Sequence, residues 1–233
     1  MQATDHADVL DAAFVVVPAY NEARVIRDVV EGLATAFPNV VVVNDGSSDD
    51  TEEILRGSPA KVVTHHINLG QGAALQTGIT FALKRGAAYV VTFDADGQHR
   101  VEDAVSAVRL LAGGGCDVVC GSRFLGTASN IPPMRKILLK SAVGFANATS
   151  GARMTDAHNG LRALSRTAAS CLNISQSGMA HASEIISQLH EHKMVMREIP
   201  VQIHYTEYSM TKGQSSLNAI NILFDLVIGR FLK

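Results

Sequence analysis

The chain has no tryptophan, and aromatic residues make up only 5% of its 233 positions. So few rings exclude the stacking platforms that hold single-stranded bases. Neither sign of charge dominates: 20 Lys and Arg stand against 22 Asp and Glu, a formal net charge of −2. Broad binding to nucleic acid requires a basic face that displaces counterions, so no nucleic-acid partner is expected. No run reaches the roughly 18–20 apolar residues of a membrane-spanning helix. Met1 to Ala13 holds Asp5, Asp8 and Asp11 and no Lys or Arg, so it is not expected to serve as a secretory signal. Three cysteines, Cys116, Cys120 and Cys171, are too few and too odd for a disulfide framework. No neighbouring His or Cys completes a metal set with Cys116 and Cys120, and Cys120 ends an apolar run, so a plain buried thiol is expected there. What remains is a cytosolic globular chain whose 47% apolar content suits one substantial core.

The first half alternates two patterns. Short Val-rich runs at Ala13–Val17, Val40–Val43, Lys61–Thr64, Tyr89–Phe93 and Asp117–Cys120 read as strands buried on both faces. Between them, Glu22–Ala36, Thr51–Leu55, Gly72–Arg85 and Val101–Ala112 read as helices, the second opened by Asp49 and Glu52 at capping-box spacing. Strand–helix–strand repetition predicts a mostly parallel α/β sheet with helices on both faces. In the second half Lys140–Ser150 and Ala182–His192 read as helices and Gly160–Ala163 as a strand. Met194–His204 is a strand whose Pro200 implies an edge or a bend. Gln214–Lys233 is a closing amphipathic helix. With no linker or repeat, the expected organisation is an extension at 1–12, one domain at 13–213 and that helix at 214–233.

Ligands in such sheets sit beyond the carboxyl ends of the strands. Four strands there run into polar or Gly-bearing loops: Pro18-Ala19-Tyr20-Asn21-Glu22, Asn44-Asp45-Gly46-Ser47-Ser48, Asn68-Leu69-Gly70-Gln71-Gly72 and Asp94-Ala95-Asp96-Gly97-Gln98. Turn-making explains any one of them. It does not explain Asp94 and Asp96, two carboxylates leaving a buried strand. At about 4 Å and an effective dielectric near 20, such a like-charge pair costs on the order of 4 kcal/mol. A hard divalent cation, Mg²⁺ or Mn²⁺, held by Asp94, Asp96 and the Gln98 carbonyl would resolve it. That cation would also clamp a diphosphate and stabilise it as a leaving group. Asp45, at the neighbouring strand end, can accept hydrogen bonds from a ribose or a base. Gly70-Gln71-Gly72-Ala73-Ala74-Leu75 brushes against a dinucleotide fingerprint but has Leu75 where a small residue is needed, and it follows the third strand.

These motifs, with Val16-Val17 before the first, Val43 before the second and Gly121-Ser122-Arg123 after the last, resemble the family-two glycosyltransferases of GT-A fold, in the polyprenyl-phosphate (dolichyl-phosphate) mannosyl- and glucosyltransferase branch. The resemblance spans roughly residues 13–213, a nucleotide-sugar half at 13–123 and an acceptor half at 124–213. It implies a donor pocket from Pro18, Ala19, Tyr20, Glu22, Val43, Asp45, Gly46, Asn68 and Gly72, and donor or metal contacts from Asp94, Ala95, Asp96 and Gln98. It puts Arg123 near the sugar or phosphates. It implies transfer of a hexose, with inversion, from a GDP- or UDP-sugar to a polyprenyl phosphate. Asp156-Ala157-His158-Asn159-Gly160-Leu161-Arg162 is similar to the branch's Asp-x-x-x-Gly-Phe-Arg segment, with Leu161 for the aromatic, so Asp156 and Arg162 join Asp96 and Arg123 as catalytic candidates.

Chemistry leaves the acceptor open. A lipid phosphate is already ionised and needs no base, and Asp156 would then orient Arg162 or sugar hydroxyls. A saccharide hydroxyl on a lipid-linked or surface polysaccharide needs a base, for which Asp156 and His158 are the candidates. A third reading is a catalytically idle nucleotide-sugar-binding subunit. Arg135 and Lys136, after Pro132-Pro133, are candidates for the acceptor phosphate, and Lys212 for a mobile donor-contacting lid, although Thr206 and Ser209 depart from the mannosyltransferase pattern there. His65 and His66 are expected to pack or cap. The wide apolar arc of Leu217–Leu232 suits core packing, the cytoplasmic membrane surface or a small integral-membrane partner.

Overall fold

A computed structural model of the chain describes residues 6–125, 143–144, 147, 154–156, 158–178 and 180–203. Most of the Lys140–Ser150 stretch, Arg135, Lys136, Lys212 and the helix expected at 214–233 lie outside the described residues.

Seven strands form one sheet: β1 (Ala13–Ala19), β2 (Val40–Asp45), β3 (Lys61–His65), β4 (Tyr89–Thr92), β5 (Val118–Ser122), β6 (Arg162–Ser165) and β7 (Met196–Pro200). Their spatial order is β3-β2-β1-β4-β6-β5-β7. Every described pairing is parallel except those of β6, which runs antiparallel to both β4 and β5. The helices are α1 (His6–Asp11), α2 (Ile26–Ala34), α3 (Thr51–Arg56), α4 (Gln71–Lys84), α5 (Val101–Ala112), α6 (Arg166–Ser170) and α7 (His181–Glu191). The α/β class and the mostly parallel sheet follow the sequence reading.

The alternation of side chains along each strand builds two cores, one per face. Val15 and Val17 of β1 meet Ile26, Val30 and Leu33 of α2 and Val108 of α5 on one face. Phe14 and Val16 meet Leu75 and Ile79 of α4 and Ile185 and Leu189 of α7 on the other. This is why β1 is buried along its whole length and reads as an unbroken apolar run. The third strand departs from expectation. Its burial alternates between half-buried and exposed, because β3 ends the sheet and has a neighbour on one side only. Pro200 closes β7 at the opposite edge, where its missing N–H costs no ladder hydrogen bond. All three cysteines are free, and burial pushes the Cys120 thiol up to about 12, as expected of an inert core thiol.

Because β1 to β4 are parallel, the loops after them share one edge of the sheet. The antiparallel β6 adds something the sequence did not announce: the chain entering it, at residues 158–161, reaches that same edge beside β4. A close approach then brings α4 onto the sheet, since a Cβ at Gly78 would run into the Val16 side chain. Gly78→Ala is expected to destabilise the fold by up to about 2 kcal/mol, an overpacking cost of about 1–3 kcal/mol set against the roughly 1 kcal/mol gained in helix propensity. Urea unfolding should show the loss, and Val16→Ala in the same chain should recover part of it.

Candidate active site

The loops after β1 and β2 are stitched together. Asn21, held at φ 54°, donates its N–H to Ser47 Oγ at 3.0 Å and accepts from the Ser48 N–H at 2.8 Å. The Glu22 N–H donates to Thr51 Oγ1 at 2.8 Å. The capping box read at Asp49 and Glu52 does not form. Asp50 occupies the cap without a side-chain bond, while Asp49 accepts from Thr51 N–H and from Ala23 N–H across the loops at 3.0 and 3.1 Å. Of the residues expected in a donor pocket, Pro18 and Ala19 are buried at the end of β1, Val43 is buried within β2, and Glu22 is nearly so. Tyr20 and Asn68 are exposed at the same edge.

Asp45 anchors the next loop. Its carboxylate accepts from the Leu69 and Gly70 N–H groups at 3.0 and 2.8 Å and lies 2.7 Å from His65 Nδ1. His65 Nε2 meets Thr77 Oγ1 at 3.0 Å, so this histidine caps and packs as expected. The turn needs its glycines. Gly46 (φ +67°) lies against the backbone of Ile67 and Asn68, and a Cβ on Gly72 would strike the Gln176 carbonyl. Gly72 also donates its N–H to the Ser177 carbonyl at 3.2 Å. The glycine pattern that imitated a dinucleotide fingerprint is thus accounted for by a loop, 176–177, lying on the start of α4.

Asp94 and Asp96 leave β4 beside this loop. Asp94 Oδ1 accepts from Gln71 Nε2 at 3.1 Å, and Oδ2 lies 3.2 Å from His99 Nε2. Gly160 is packed against the carboxylate so closely that a Cβ would overlap it. Burial pushes the Asp94 pKa up, but the His99 hydrogen bond and the charges of His99, Arg162 and His181 outweigh it and hold the group below the usual carboxylate range. Asp96 lacks that support. Burial, then the charge of Asp94, raise it to about 6 despite the hydrogen bond from the Gln98 N–H. The like-charge repulsion expected from the sequence therefore lands on Asp96. Ala95 between them is buried, and Gln98 follows on the same turn.

The end of β5 and the approach to β6 reach the same edge of the sheet. Arg123 reaches Asp156 with Nε and Nη2 at 2.7 and 2.8 Å, and its own N–H donates to the same carboxylate at 3.1 Å. Burial would raise the Asp156 pKa; the Arg123 bonds and charge hold it below its ordinary range. This corrects one expectation: the guanidinium oriented by Asp156 is that of Arg123, not of Arg162. Arg162, buried in β6, shares side-chain parity with Leu164 and so serves the α4–α7 face, within electrostatic reach of Asp94, His158 and His181. His158 is mostly buried, and burial with the charge of Arg162 lowers it to about 4. Glu198 of β7 fixes the segment by accepting from Thr155 N–H and Asp156 N–H. The sequence reading quoted Gln71 and Gly160 without a role and passed over His99, His181 and Glu198. The adjacency of His99 to Asp96-Gly97-Gln98 was the one signal available.

Residues 14–172 match the family described as glycosyl transferase family 2. The chain belongs to glycosyl transferase family 2. It is 35% identical to an uncharacterized protein of Methanocaldococcus jannaschii, over 94% of this chain and 92% of the relative. It is 30% identical to a UDP-N-acetylglucosamine–dolichyl-phosphate N-acetylglucosaminyltransferase of Methanococcus voltae, over 92% and 94%. It is 29% identical to a polyprenol monophosphomannose synthase of Mycolicibacterium smegmatis, over 87% and 81%. Among solved structures, glucosyl-3-phosphoglycerate synthase from Mycobacterium tuberculosis with Mn²⁺ and UDP-glucose has the same fold. The TM-score is 0.72 at 17% identity, over 99% of this chain and 84% of that one. The fold is therefore GT-A, and the protein is a glycosyltransferase.

The Arg123–Asp156 pair yields a prediction. With side chains 13% and 1% exposed, it is a buried pair, and removing one charge should cost about 3–5 kcal/mol. Its pH dependence has a definite sign. A folded pKa below the unfolded value of about 3.9 stabilises the fold above that pH and is lost as pH falls through the depressed value. Urea midpoints should show Asp156→Asn less stable than wild type at pH 7, with the gap closing below about pH 4.

Proposed function

We propose that this glycosyltransferase moves a hexose from a GDP- or UDP-sugar to a polyprenyl phosphate, with metal assistance and inversion, at the cytoplasmic face of a membrane. The observation that carries the reading is the pair of acids at the end of β4, Asp94 and Asp96, at the same sheet edge as the Arg123–Asp156 pair. Asp96 raised to about 6 marks a place short of positive charge, which suits a divalent cation on Asp94, Asp96 and the neutral Gln98 carbonyl. Among the described residues no three His, Cys, Asp or Glu side chains converge as metal ligands, so the set offered is two carboxylates and an amide. Mn²⁺ in the mycobacterial neighbour of the same fold supports the choice of Mg²⁺ or Mn²⁺.

When bound, the ion supplies Lewis-acid stabilisation of the leaving diphosphate. The loops carrying Tyr20, Glu22, Gly46 and Asn68 hold the nucleoside, with Asp45 keeping the 68–70 turn in place. Arg123, aimed by Asp156, faces the negative charge that develops between donor and acceptor. The acceptor oxygen bonds to the anomeric carbon from the face opposite the breaking carbon–oxygen bond, and the nucleoside diphosphate departs. Arg135 and Lys136 would receive the acceptor phosphate and Lys212 would close over the donor. The 214–233 helix would rest on the membrane or on a small membrane-embedded partner. Among the described residues no helix is long and apolar enough to cross a membrane.

The state of the two candidate bases favours a phosphate acceptor over a hydroxyl. Asp156 is locked onto Arg123 with a depressed pKa, and His158 at about 4 binds a proton poorly near neutrality. Neither suits proton removal from an alcohol; an ionised phosphate needs no such step. The names of the methanococcal and mycobacterial relatives support the same acceptor class.

Labelled GDP- and UDP-sugars should transfer label to a short polyprenyl phosphate in the presence of Mn²⁺, and Asp96→Ala should lower turnover at least 10³-fold (about 4 kcal/mol). Label appearing only on a saccharide hydroxyl would overturn the acceptor assignment. Binding of nucleotide and Mn²⁺ without transfer to either class would favour an idle subunit.

A further inference from the structure

His99 has no part in the transfer chemistry above, yet it is built into the turn that carries the acids. Its side chain is 4% exposed, and its ring lies 5.5 Å from that of Phe93. Nε2 is 3.2 Å from Asp94 Oδ2, while Nδ1 is buried with no partner. With the proton on Nε2, the ring donates to Asp94 and leaves Nδ1 as a bare lone pair in a dry place. A buried polar atom without a partner detracts from folding, and a phenylalanine of similar shape would pack there without one. What the imidazole offers over a phenylalanine is therefore its bond to Asp94, not its packing.

The other contacts of Asp94 complete the case. Gln71, the first residue of α4, donates to Oδ1 at 3.1 Å, and Gly160 backs the carboxylate so that it cannot retreat. Each oxygen receives one protein donor, which leaves each a lone pair to offer. We propose that His99 is a positioning residue which, with Gln71 on the opposite oxygen, fixes Asp94 in the one orientation that a divalent cation requires. This rests on the metal-assisted reading above. Loss of hydrogen bonds that orient metal-binding groups typically weakens affinity about 10–100-fold.

His99→Phe separates the roles, because it keeps the packing on Phe93, removes the orphan nitrogen and deletes the donor. Mn²⁺ titrations of the full chain with UDP and with GDP, followed by the EPR signal of the free ion, should show affinity weakened about 10–100-fold. The thermal midpoint should fall only slightly, since Asp94 loses one donor but keeps Gln71 and the charge of Arg162. His99→Gln, which keeps an N–H donor, should recover most of the affinity, and Gln71→Leu should repeat the loss. If wild type binds Mn²⁺ and Asp96→Ala does not, but His99→Phe binds as wild type does, the positioning role fails while the metal reading stands. A loss of affinity that tracks a markedly lowered midpoint and is not recovered by His99→Gln would make His99 structural and also overturn it. No Mn²⁺ binding by wild type with either nucleotide would remove the metal reading itself, and this inference with it.

Discussion

Two carboxylates leaving one buried strand set the terms for what surrounds them. Taking a charge out of water is costly unless hydrogen bonds or opposite charge replace the lost solvent, and a second like charge nearby raises the cost. The protein compensates Asp94 from several directions at once: Gln71 from α4, His99 from its own turn, Arg162 from β6 and His181 from α7. Asp96 is left undercompensated. One acid is held in place and ionised; the other has a deficit of positive charge beside it. That asymmetry is the physical basis for the proposal that the site takes a cation and the diphosphate such an ion would hold.

The sheet order makes the arrangement possible. A wholly parallel sheet would put only strand-to-helix loops at this edge. Inserting the antiparallel β6 between β4 and β5 brings the approach to β6 alongside Asp94, with Gly160 the residue that lets the backbone come so near. The same insertion carries Arg162 beneath the site and His158 beside it. Residues 158–162 are thereby woven into the sheet edge beside β4 and do not merely face it across a gap.

The Arg123–Asp156 pair works by restraint. A fork of two hydrogen bonds, with a third from the Arg123 backbone, leaves the guanidinium one geometry. A charge fixed before the reaction stabilises charge that develops during it without first having to reorganise. The same fork makes Asp156 a poor base, so in the proposed reaction one interaction would both aim the guanidinium and narrow the acceptor chemistry.

Much of this was legible in the residue string. Val-rich runs too short for helices can hardly be other than strands, and Val101–Ala112 was bounded correctly by its apolar spacing. The spacing of Asp94 and Asp96 announced a site because like charges on adjacent positions of one turn are a local conflict, visible without coordinates. The exposure of β3 was not legible, since a Val-rich run looks alike at the centre and at an edge. Nor was the fate of Asp49, which bonds Thr51 of its own helix with one oxygen and Ala23 across the loops with the other. Partnerships were beyond reach for the same reason: Asp156 lies near Arg162 in sequence, yet pairs with Arg123, 33 residues away, because β5 ends beside the start of β6. The sequence by itself determined the strands and the longer helices of the sheet, their edge and the acids upon it, all consequences of local pattern, though not the short helices at His6–Asp11 and Arg166–Ser170. Which donor meets which carboxylate, and so which acid is held and which is left wanting charge, was decided only when the sheet folded and distant loops came within hydrogen-bond range.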